Sequence, residues 1–125
     1  MIGIDLLKIN RIKDMKERFG EKALKRFLDD EEILLSKDKI ETLAGFYAAK
    51  EAISKALGCG ISKECGFKDI KIYKDEKNKP HFKLSKRVIE NFDIIYTDLS
   101  ISHDSGLVIA IAQIESKTKN QISSF

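Results

Sequence analysis

The sequence is poor in the residues that mark secreted, disulfide-linked or membrane-spanning proteins. It contains no tryptophan, one proline and two cysteines among 125 residues. Cys59 and Cys65 form a C-x5-C pattern that matches no zinc framework. No apolar run approaches the length of a membrane span, and the start, MIGIDLLKIN, lacks the features of a signal peptide. We therefore expect a cytoplasmic protein with two free thiols, without a membrane association.

The net charge of the chain is also small, but the charges are unevenly distributed along it. The chain carries a net charge of +3, whereas residues 8–28 alone hold eight basic and three acidic side chains, a net charge of +5. Such a surface suits an acidic protein, a nucleic acid or an anionic membrane. It is equally compatible with the solvated face of a helix.

The hydrophobic content of 42% and the length fit one globular domain, which we place at residues 1–115, followed by a polar C-terminal tail at 116–125. Helices come early and antiparallel strands late, so the predicted fold class is α+β, with a long central helix packed on an antiparallel sheet. The predicted strands are Met1–Leu7, Phe67–Tyr73, His81–Leu84, Ile94–Ser102 and Leu107–Ile114. The predicted helices are Asn10–Phe19 with Asn10 as its cap, Glu21–Leu28, a short helix ending at Leu35, Ile40–Leu57 and Lys86–Asn91.

The stretch from Phe46 to Gly58, FYAAKEAISKALG, is the predicted centre of the fold. A ridge of alanines spaced by four would let another element approach this helix closely. Glu51 and Lys55 lie one turn apart, so the helix presents a carboxylate and an ammonium along one strip. Taken alone, this pair is also what a surface ion pair on an amphipathic helix looks like.

Candidate chemistry comes from Asp5, from the Glu51–Lys55 strip and from His103 at a strand end. A carboxylate such as Asp5 within a hydrophobic strand needs a cation, a metal or several donors. Asp and Glu oxygens suit Mg²⁺, which takes one or two carboxylates together with phosphate oxygens. Lys55 could then neutralise a leaving phosphate, and Gly58-Cys59-Gly60 could offer backbone N–H groups to an anion.

Three segments together carry a resemblance to a known family. They are GIDLLKINRI at Gly3–Ile12, AAKEAISKALG at Ala48–Gly58, and SISHD at Ser100–Asp104. The chain resembles the holo-[acyl-carrier-protein] synthases, the small single-domain branch of the 4′-phosphopantetheinyl transferases. The resemblance extends from the first strand to about Ile114.

This resemblance implies an enzyme that transfers phosphopantetheine from coenzyme A to a serine of apo acyl carrier protein, in fatty acid biosynthesis. It implies that Asp5 and Glu51 bind Mg²⁺, with Mn²⁺ as a possible substitute. Asp5, or a water on the metal, would take the serine proton, and Lys55 would assist the departure of adenosine 3′,5′-bisphosphate.

The resemblance also implies binding residues and an assembly. His103 would bind a phosphate of coenzyme A or orient the carboxylates, or it would only hydrogen-bond to its own turn. The implied partners are coenzyme A, acyl carrier protein and further copies of the chain, in a homotrimer with active sites between subunits. The implied coenzyme A contacts are Lys37, Tyr47, Lys55, Gly58, Gly60 and His103. The implied carrier-protein contacts are Arg11, Arg18, Lys22 and Lys25.

Two rival functions follow from the same residues. A nucleic-acid-binding module would use the basic stretch, but it should have stacking aromatics beside the charges, and only Phe19 and Phe27 are available there. A relative that binds the carrier protein without catalysis would have no need of Asp5, Glu51 and Lys55. We therefore favour the transferase and expect no nucleic-acid partner.

Overall fold

A computed structural model of the chain describes residues 1–117 and 124. A three-stranded antiparallel sheet and one long helix packed against it form the centre of this part of the chain. The sheet has the strand order β1-β5-β4, and β2 and β3 form a separate two-stranded sheet. In chain order the elements are β1 (Ile2–Lys8), α1 (Ile9–Phe19), α2 (Glu21–Leu24), α3 (Asp30–Ser36), α4 (Ile40–Ala56), β2 (Ile70–Lys74), β3 (Pro80–Leu84), α5 (Lys86–Phe92), β4 (Ile94–Asp104) and β5 (Leu107–Ser116).

The α+β prediction with a long central helix is confirmed, but several boundaries differ. Helix α1 begins at Ile9, directly after β1, so Asn10 lies inside the first turn and is not its cap. The predicted helix Glu21–Leu28 ends at Leu24. The first part of the predicted strand from Phe67 is a 3-10 turn, because Asp69 accepts a hydrogen bond from the backbone N–H of Gly66. Most of the predicted polar tail lies outside the described residues.

Helix α4 is largely buried. The small side chains on much of its surface allow neighbouring elements to pack closely against it. The predicted alanine ridge, from Ala44 to Ala56, is almost entirely inaccessible to solvent. On β5 the buried face consists of Val108, Ala110, Ala112 and Ile114. Helix α4 contacts both β1 and β5 extensively, so the core lies between this helix and the inner face of the sheet. No helix in residues 1–117 is long and apolar enough to cross a bilayer.

Gly3 allows β1 to lie directly on α4. A Cβ atom at this position would come within 1.8 Å of the Ala52 carbonyl oxygen and 2.5 Å of the Ala56 nitrogen. Both atoms belong to the backbone of α4, so they cannot move aside as a flexible side chain would. Glycine at this position therefore brings Asp5, two residues later, close to the helix strip that carries Glu51 and Lys55.

The outer face of the central sheet is apolar and exposed. Ile2, Ile4 and Leu6 alternate along β1 with exposures of 72%, 51% and 64%, and Ile111 on β5 is 43% exposed. Ile4 and Ile111 are direct partners in the β1–β5 register, so these side chains form one continuous patch. Apolar patches of this kind on a folded protein mark interaction surfaces.

Candidate active site

Asp5 and Lys55 meet at the seam between β1 and α4. The Lys55 Nζ lies 2.9 Å from Asp5 Oδ1 and also donates to the Ile4 carbonyl oxygen at 3.1 Å. The Lys55 side chain is 51% exposed, whereas the Asp5 side chain is only 14% exposed. The ammonium therefore provides the cation that the carboxylate in the strand requires, and it remains accessible from solvent.

Glu51 belongs to the same cluster. Burial and then the negative charge of Asp5 raise the pKa of the Glu51 carboxyl, while Lys55, Arg11 and the Tyr47 hydroxyl oppose this effect. Two carboxylates that repel each other at a half-buried position form a site for a cation. The predicted association of Asp5, Glu51 and Lys55 is thus present as a spatial arrangement.

The donor set of this cluster fits a hard divalent ion. Carboxylate oxygens of Asp5 and Glu51 are ligands that Mg²⁺ prefers, and Mg²⁺ commonly keeps several waters or phosphate oxygens in addition to one or two carboxylates. Within residues 1–117 and 124, no group of three or more His, Cys, Asp or Glu side chains converges on a point. A metal held by Asp5 and Glu51 would complete its coordination with further oxygen ligands, such as waters or phosphate oxygens.

The glycines of the loop after α4 end this helix in the structure. Gly58 and Gly60 have φ angles of 80° and 62°, in the left-handed region that favours glycine. Their N–H groups donate to the carbonyl oxygens of Lys55 and Ser54 at 3.0 and 3.1 Å. Both N–H groups thus terminate the helix, and the loop as it stands does not direct them at an anion.

His103 lies away from the carboxylates within the chain. It is exposed near the end of β4, where it pairs with Val108 of β5, while Asp5 pairs with Ala110 on the other side of β5. His103 lines an open groove of about 520 Å³ together with Phe46. Strands are about 4.8 Å apart, so an intervening strand puts β1 and β4 about 10 Å apart. Within one chain β5 therefore separates His103 from Asp5.

Lys37 is exposed in the loop between α3 and α4. It and Asp38 both have positive φ angles, of 51° and 59°, which are unusual for residues with side chains. Asp38 forms an ion pair with Lys16 of α1, which ties this loop to the basic helix. The neighbouring Lys39, rather than Lys37, lines the groove that contains His103.

The four basic residues assigned to the carrier protein are all exposed. Arg11 and Arg18 are seven positions apart on α1, which places them on one helix face. The Arg11 guanidinium also lies over the Tyr47 ring, 5.5 Å from its centroid. One end of the basic surface therefore contacts the residue that adjoins Glu51.

Lys50 and Glu32 form a buried ion pair that the sequence analysis missed. Lys50 and Glu32 are 0% and 1% exposed, and Lys50 Nζ lies 2.9 Å from Glu32 Oε1. The placement of Lys50 beside the alanine ridge was the available signal, because a lysine at that point of the helix cannot reach solvent. Its acidic partner is 18 residues away in sequence, so the pairing itself required the tertiary structure.

Two adjacent carboxylates with an accessible ammonium are the groups that position and neutralise a phosphate during phosphoryl transfer, which defines the chain as a candidate phosphoryl-transfer enzyme. Comparisons with known proteins narrow this class. A sequence model of the 4′-phosphopantetheinyl transferase superfamily matches residues 1–112. The chain therefore belongs to this superfamily, as the sequence motifs predicted.

Individual relatives support a particular branch. The chain is 57% identical to a holo-[acyl-carrier-protein] synthase of Nautilia profundicola, over 88% of this chain and 95% of the relative. It is 49% identical to that of Sulfurimonas denitrificans, over 98% and 100% of the two chains. The crystal structure of the Helicobacter pylori holo-[acyl-carrier-protein] synthase in complex with coenzyme A is similar, with a TM-score of 0.90, 50% identity, and coverage of 92% of this chain and 100% of that chain.

Proposed function

We propose that this chain transfers 4′-phosphopantetheine from coenzyme A to a serine of apo acyl carrier protein and releases adenosine 3′,5′-bisphosphate, a step of fatty acid biosynthesis. The observation that carries the proposal is the meeting of Asp5 and Lys55 at 2.9 Å beside Glu51. It supports the proposal because these are the residues on which the family motifs are built. The Helicobacter pylori relative, whose structure was solved with coenzyme A, extends the argument to the substrate.

Asp5 and Glu51 would hold Mg²⁺, for which Mn²⁺ is a possible substitute. When bound, the ion would neutralise charge on the pyrophosphate of coenzyme A. The fit rests on two hard carboxylates whose mutual repulsion contributes to the raised pKa of Glu51. In this arrangement Lys55 would exchange its contact with Asp5 for one with a phosphate oxygen.

In the proposed reaction the serine Oγ attacks the phosphorus that bears the pantetheine arm. The new bond joins Oγ to that phosphorus, and the bond to the bridging oxygen of the pyrophosphate breaks. Asp5 accepts the serine proton. The side chain of Lys55 is half exposed, so its ammonium can stabilise the negative charge that develops on the departing adenosine 3′,5′-bisphosphate.

Coenzyme A would contact the same end of α4 and the exposed groove. We propose Lys37, Tyr47, Lys55, Gly58, Gly60 and His103 as contacts, as the family resemblance implies. His103 and Phe46 share the wall of a groove of about 520 Å³, which is large enough for part of a nucleotide. Because the N–H groups of Gly58 and Gly60 already terminate α4, any contact from these residues would use the close approach that their missing side chains allow.

The acidic carrier protein would bind the basic face that begins at α1. Arg11, Arg18, Lys22 and Lys25 are the proposed contacts, and their positive charges would accelerate the encounter in a salt-dependent way. Arg11 lies at the end of this face nearest the catalytic cluster, because its guanidinium lies over the ring of Tyr47. The carrier serine would therefore approach from the side of α1. The substrates and the two free cysteines agree with action in the reducing cytoplasm.

A homotrimer with active sites between subunits would explain two features at once. The outer face of the sheet exposes Ile2, Ile4, Leu6 and Ile111, more apolar surface than an isolated chain of this size favours. The groove at His103 and the cluster at Asp5 are separated by β5 within one chain. Packing the sheet faces of several copies would cover the patch and could bring the groove of one copy next to the cluster of another.

The decisive experiment is to incubate the protein with apo acyl carrier protein, coenzyme A and Mg²⁺, and to weigh the carrier. We expect the carrier to gain the mass of one phosphopantetheine with the wild-type protein and to gain none with Glu51→Ala. A matched control is Glu90→Ala, because Glu90 is an exposed glutamate on α5. An unmodified carrier with the wild-type protein would refute the transferase function, and unchanged transfer by Glu51→Ala would refute the role of the carboxylate.

A further inference from the structure

The Tyr47 side chain is held in an aromatic setting beside the catalytic cluster. Tyr47 lies on α4 one turn before Glu51, so both side chains project from the same face of the helix. The Tyr47 ring contacts the ring of Phe27 edge-on, with centroids 5.0 Å apart, and that of Phe67 at 5.7 Å. Arg11 covers it from α1. Contacts from three sides leave the ring few alternative rotamers.

The buried lysine fixes the two phenylalanines that hold this ring. Lys50 Nζ donates to the carbonyl oxygens of Phe27 at 2.7 Å and Phe67 at 3.2 Å, in addition to its bond with Glu32. Glu32 in turn accepts from the backbone N–H of Ile72 at 2.9 Å. The backbones of Phe27 and Phe67, whose rings flank that of Tyr47, are therefore anchored to α4 by largely buried, charge-assisted hydrogen bonds.

Because Tyr47 and Glu51 are four residues apart on α4, the hydroxyl at the end of this fixed ring lies on the same helix face as the Glu51 carboxylate. Glu51 faces one like charge, Asp5 on β1, and two cations, Lys55 on α4 and Arg11 on α1. Of these cations, Lys55 is already bonded to Asp5. The Glu51 carboxylate therefore lacks a direct ion-pair partner among the described residues, and the Tyr47 hydroxyl is a neutral donor on its own helix face.

We propose that Tyr47 is a positioning residue for Glu51: its clasped ring directs the hydroxyl at the carboxylate and holds that carboxylate toward Asp5, ready to bind the divalent ion. This inference rests on the proposed transferase function. It is additional to the contact with coenzyme A that the sequence predicts for Tyr47. Hydrogen bonds to metal-binding carboxylates commonly change metal affinity by about 10- to 100-fold, so the effect is measurable.

The test uses the full-length protein with Tyr47→Phe, which removes the hydroxyl and keeps the ring between Phe27 and Phe67. Binding of Mn²⁺ is measured by calorimetry without coenzyme A and without carrier protein, so that neither turnover nor the proposed contact of Tyr47 with coenzyme A contributes. We expect Tyr47→Phe to weaken Mn²⁺ binding about tenfold. The melting temperature and the KM for the carrier should stay at their wild-type values, because the ring packing and the basic face are retained.

Tyr96→Phe is the matched control, because Tyr96 is 50% exposed on β4, away from the cluster. It should bind Mn²⁺ as the wild type does. Equal Mn²⁺ affinity for Tyr47→Phe and wild type would overturn the proposal, and so would a weakened affinity accompanied by a large loss of thermal stability, which would indicate a packing role. A wild-type protein that binds Mn²⁺ but does not modify the carrier would refute the transferase function and leave the positioning role supported.

Discussion

Helix α4 carries two lysine–carboxylate pairs with the same separation and opposite surroundings. Lys50 Nζ is 2.9 Å from Glu32 and Lys55 Nζ is 2.9 Å from Asp5. The Lys50 pair is inaccessible to solvent, whereas Lys55 is 51% exposed. The distance between the charged atoms therefore does not distinguish the pairs; their access to solvent and to ligands does.

The other partners of each lysine explain the difference. Lys50 uses its three N–H groups on Glu32 and on two backbone carbonyl oxygens, so none remains for a ligand. Burial lowers the pKa of the Lys50 ammonium, and the charge of Glu32 counteracts this effect. Lys55 has one carboxylate and one carbonyl partner at the surface and can exchange them. The first pair holds the fold together, and the second is available for chemistry.

The largest expected effect is the loss of stability on removing the buried lysine. Lys50→Met would leave the Glu32 carboxylate buried without its cation, which should lower the free energy of unfolding by about 3–5 kcal/mol. Urea denaturation at a fixed protein concentration measures this loss. Adding Glu32→Gln to Lys50→Met should restore part of it by removing the stranded charge. A loss for Lys50→Met no greater than that for Lys55→Met would contradict the assignment.

The second effect concerns activity. Lys55→Met, the same change one turn and a half along the helix, should lower kcat for carrier modification by about 10²–10³-fold, because it removes the cation beside the leaving group. The free energy of unfolding should fall by less than it does for Lys50→Met, because the Asp5 carboxylate is 14% exposed whereas that of Glu32 is 1% exposed. Mass-spectrometric time courses and urea denaturation on one preparation check both. Wild-type turnover by Lys55→Met would disprove the proposed role.

A third ion pair, Asp69–Arg87, extends the comparison to the dependence of stability on pH. Burial opposes ionisation of Asp69, but hydrogen bonds from Arg87, Ser85 and Gly66 outweigh it and lower the pKa of Asp69 from 3.8 to about 2. A pKa below the unfolded value means that the stabilisation is present above pH 3.8 and is lost as the pH falls through about 2.

Arg87→Met should therefore flatten the dependence of unfolding free energy on pH between 3.8 and about 2, as followed by urea denaturation at a series of pH values. Lys86→Met, which removes an exposed lysine from the same helix, is the control and should retain the wild-type slope. An unchanged slope for Arg87→Met would show that the Arg87 contact does not account for the lowered pKa.

The smallest expected effect is on carrier binding at the basic face of α1, where the charges are solvated. Arg18→Glu should raise the KM for the carrier protein several-fold and reduce its dependence on salt, with kcat nearly unchanged. Lys86→Glu changes the net charge equally at a site on α5, away from the basic face, and should leave this KM unaltered. Equal effects of the two changes would indicate that net charge, rather than the surface at α1, attracts the carrier.

Much of the fold followed from local patterns. The alternation of apolar residues in β1 and the alanine ridge of α4 are properties of neighbouring residues, and the predicted elements were found close to their places. The errors occurred where side chains compete with backbone geometry. Asp69 turns Phe67–Asp69 into a 3-10 turn through a hydrogen bond that no periodicity reveals.

The candidate site was predictable in part. Asp5 was singled out because a carboxylate conflicts with its apolar strand, and Glu51 and Lys55 because they lie one turn apart on one strip of α4. The family motifs include all three residues. Lys50 presented the same conflict, but its resolution by Glu32 is invisible in the sequence. Tyr47 was assigned only to coenzyme A, although its spacing of four from Glu51 places both side chains on one face of the helix.

The amino-acid sequence by itself determined the α+β class, the central helix and the family, because these depend on periodicity and on short motifs. Only the tertiary structure decided which lysine is buried and which is available, and that β1 lies directly on α4. The physical reason is that solvent access and partners depend on elements brought together from distant parts of the chain, such as Gly3 with Ala52 or Glu32 with Lys50.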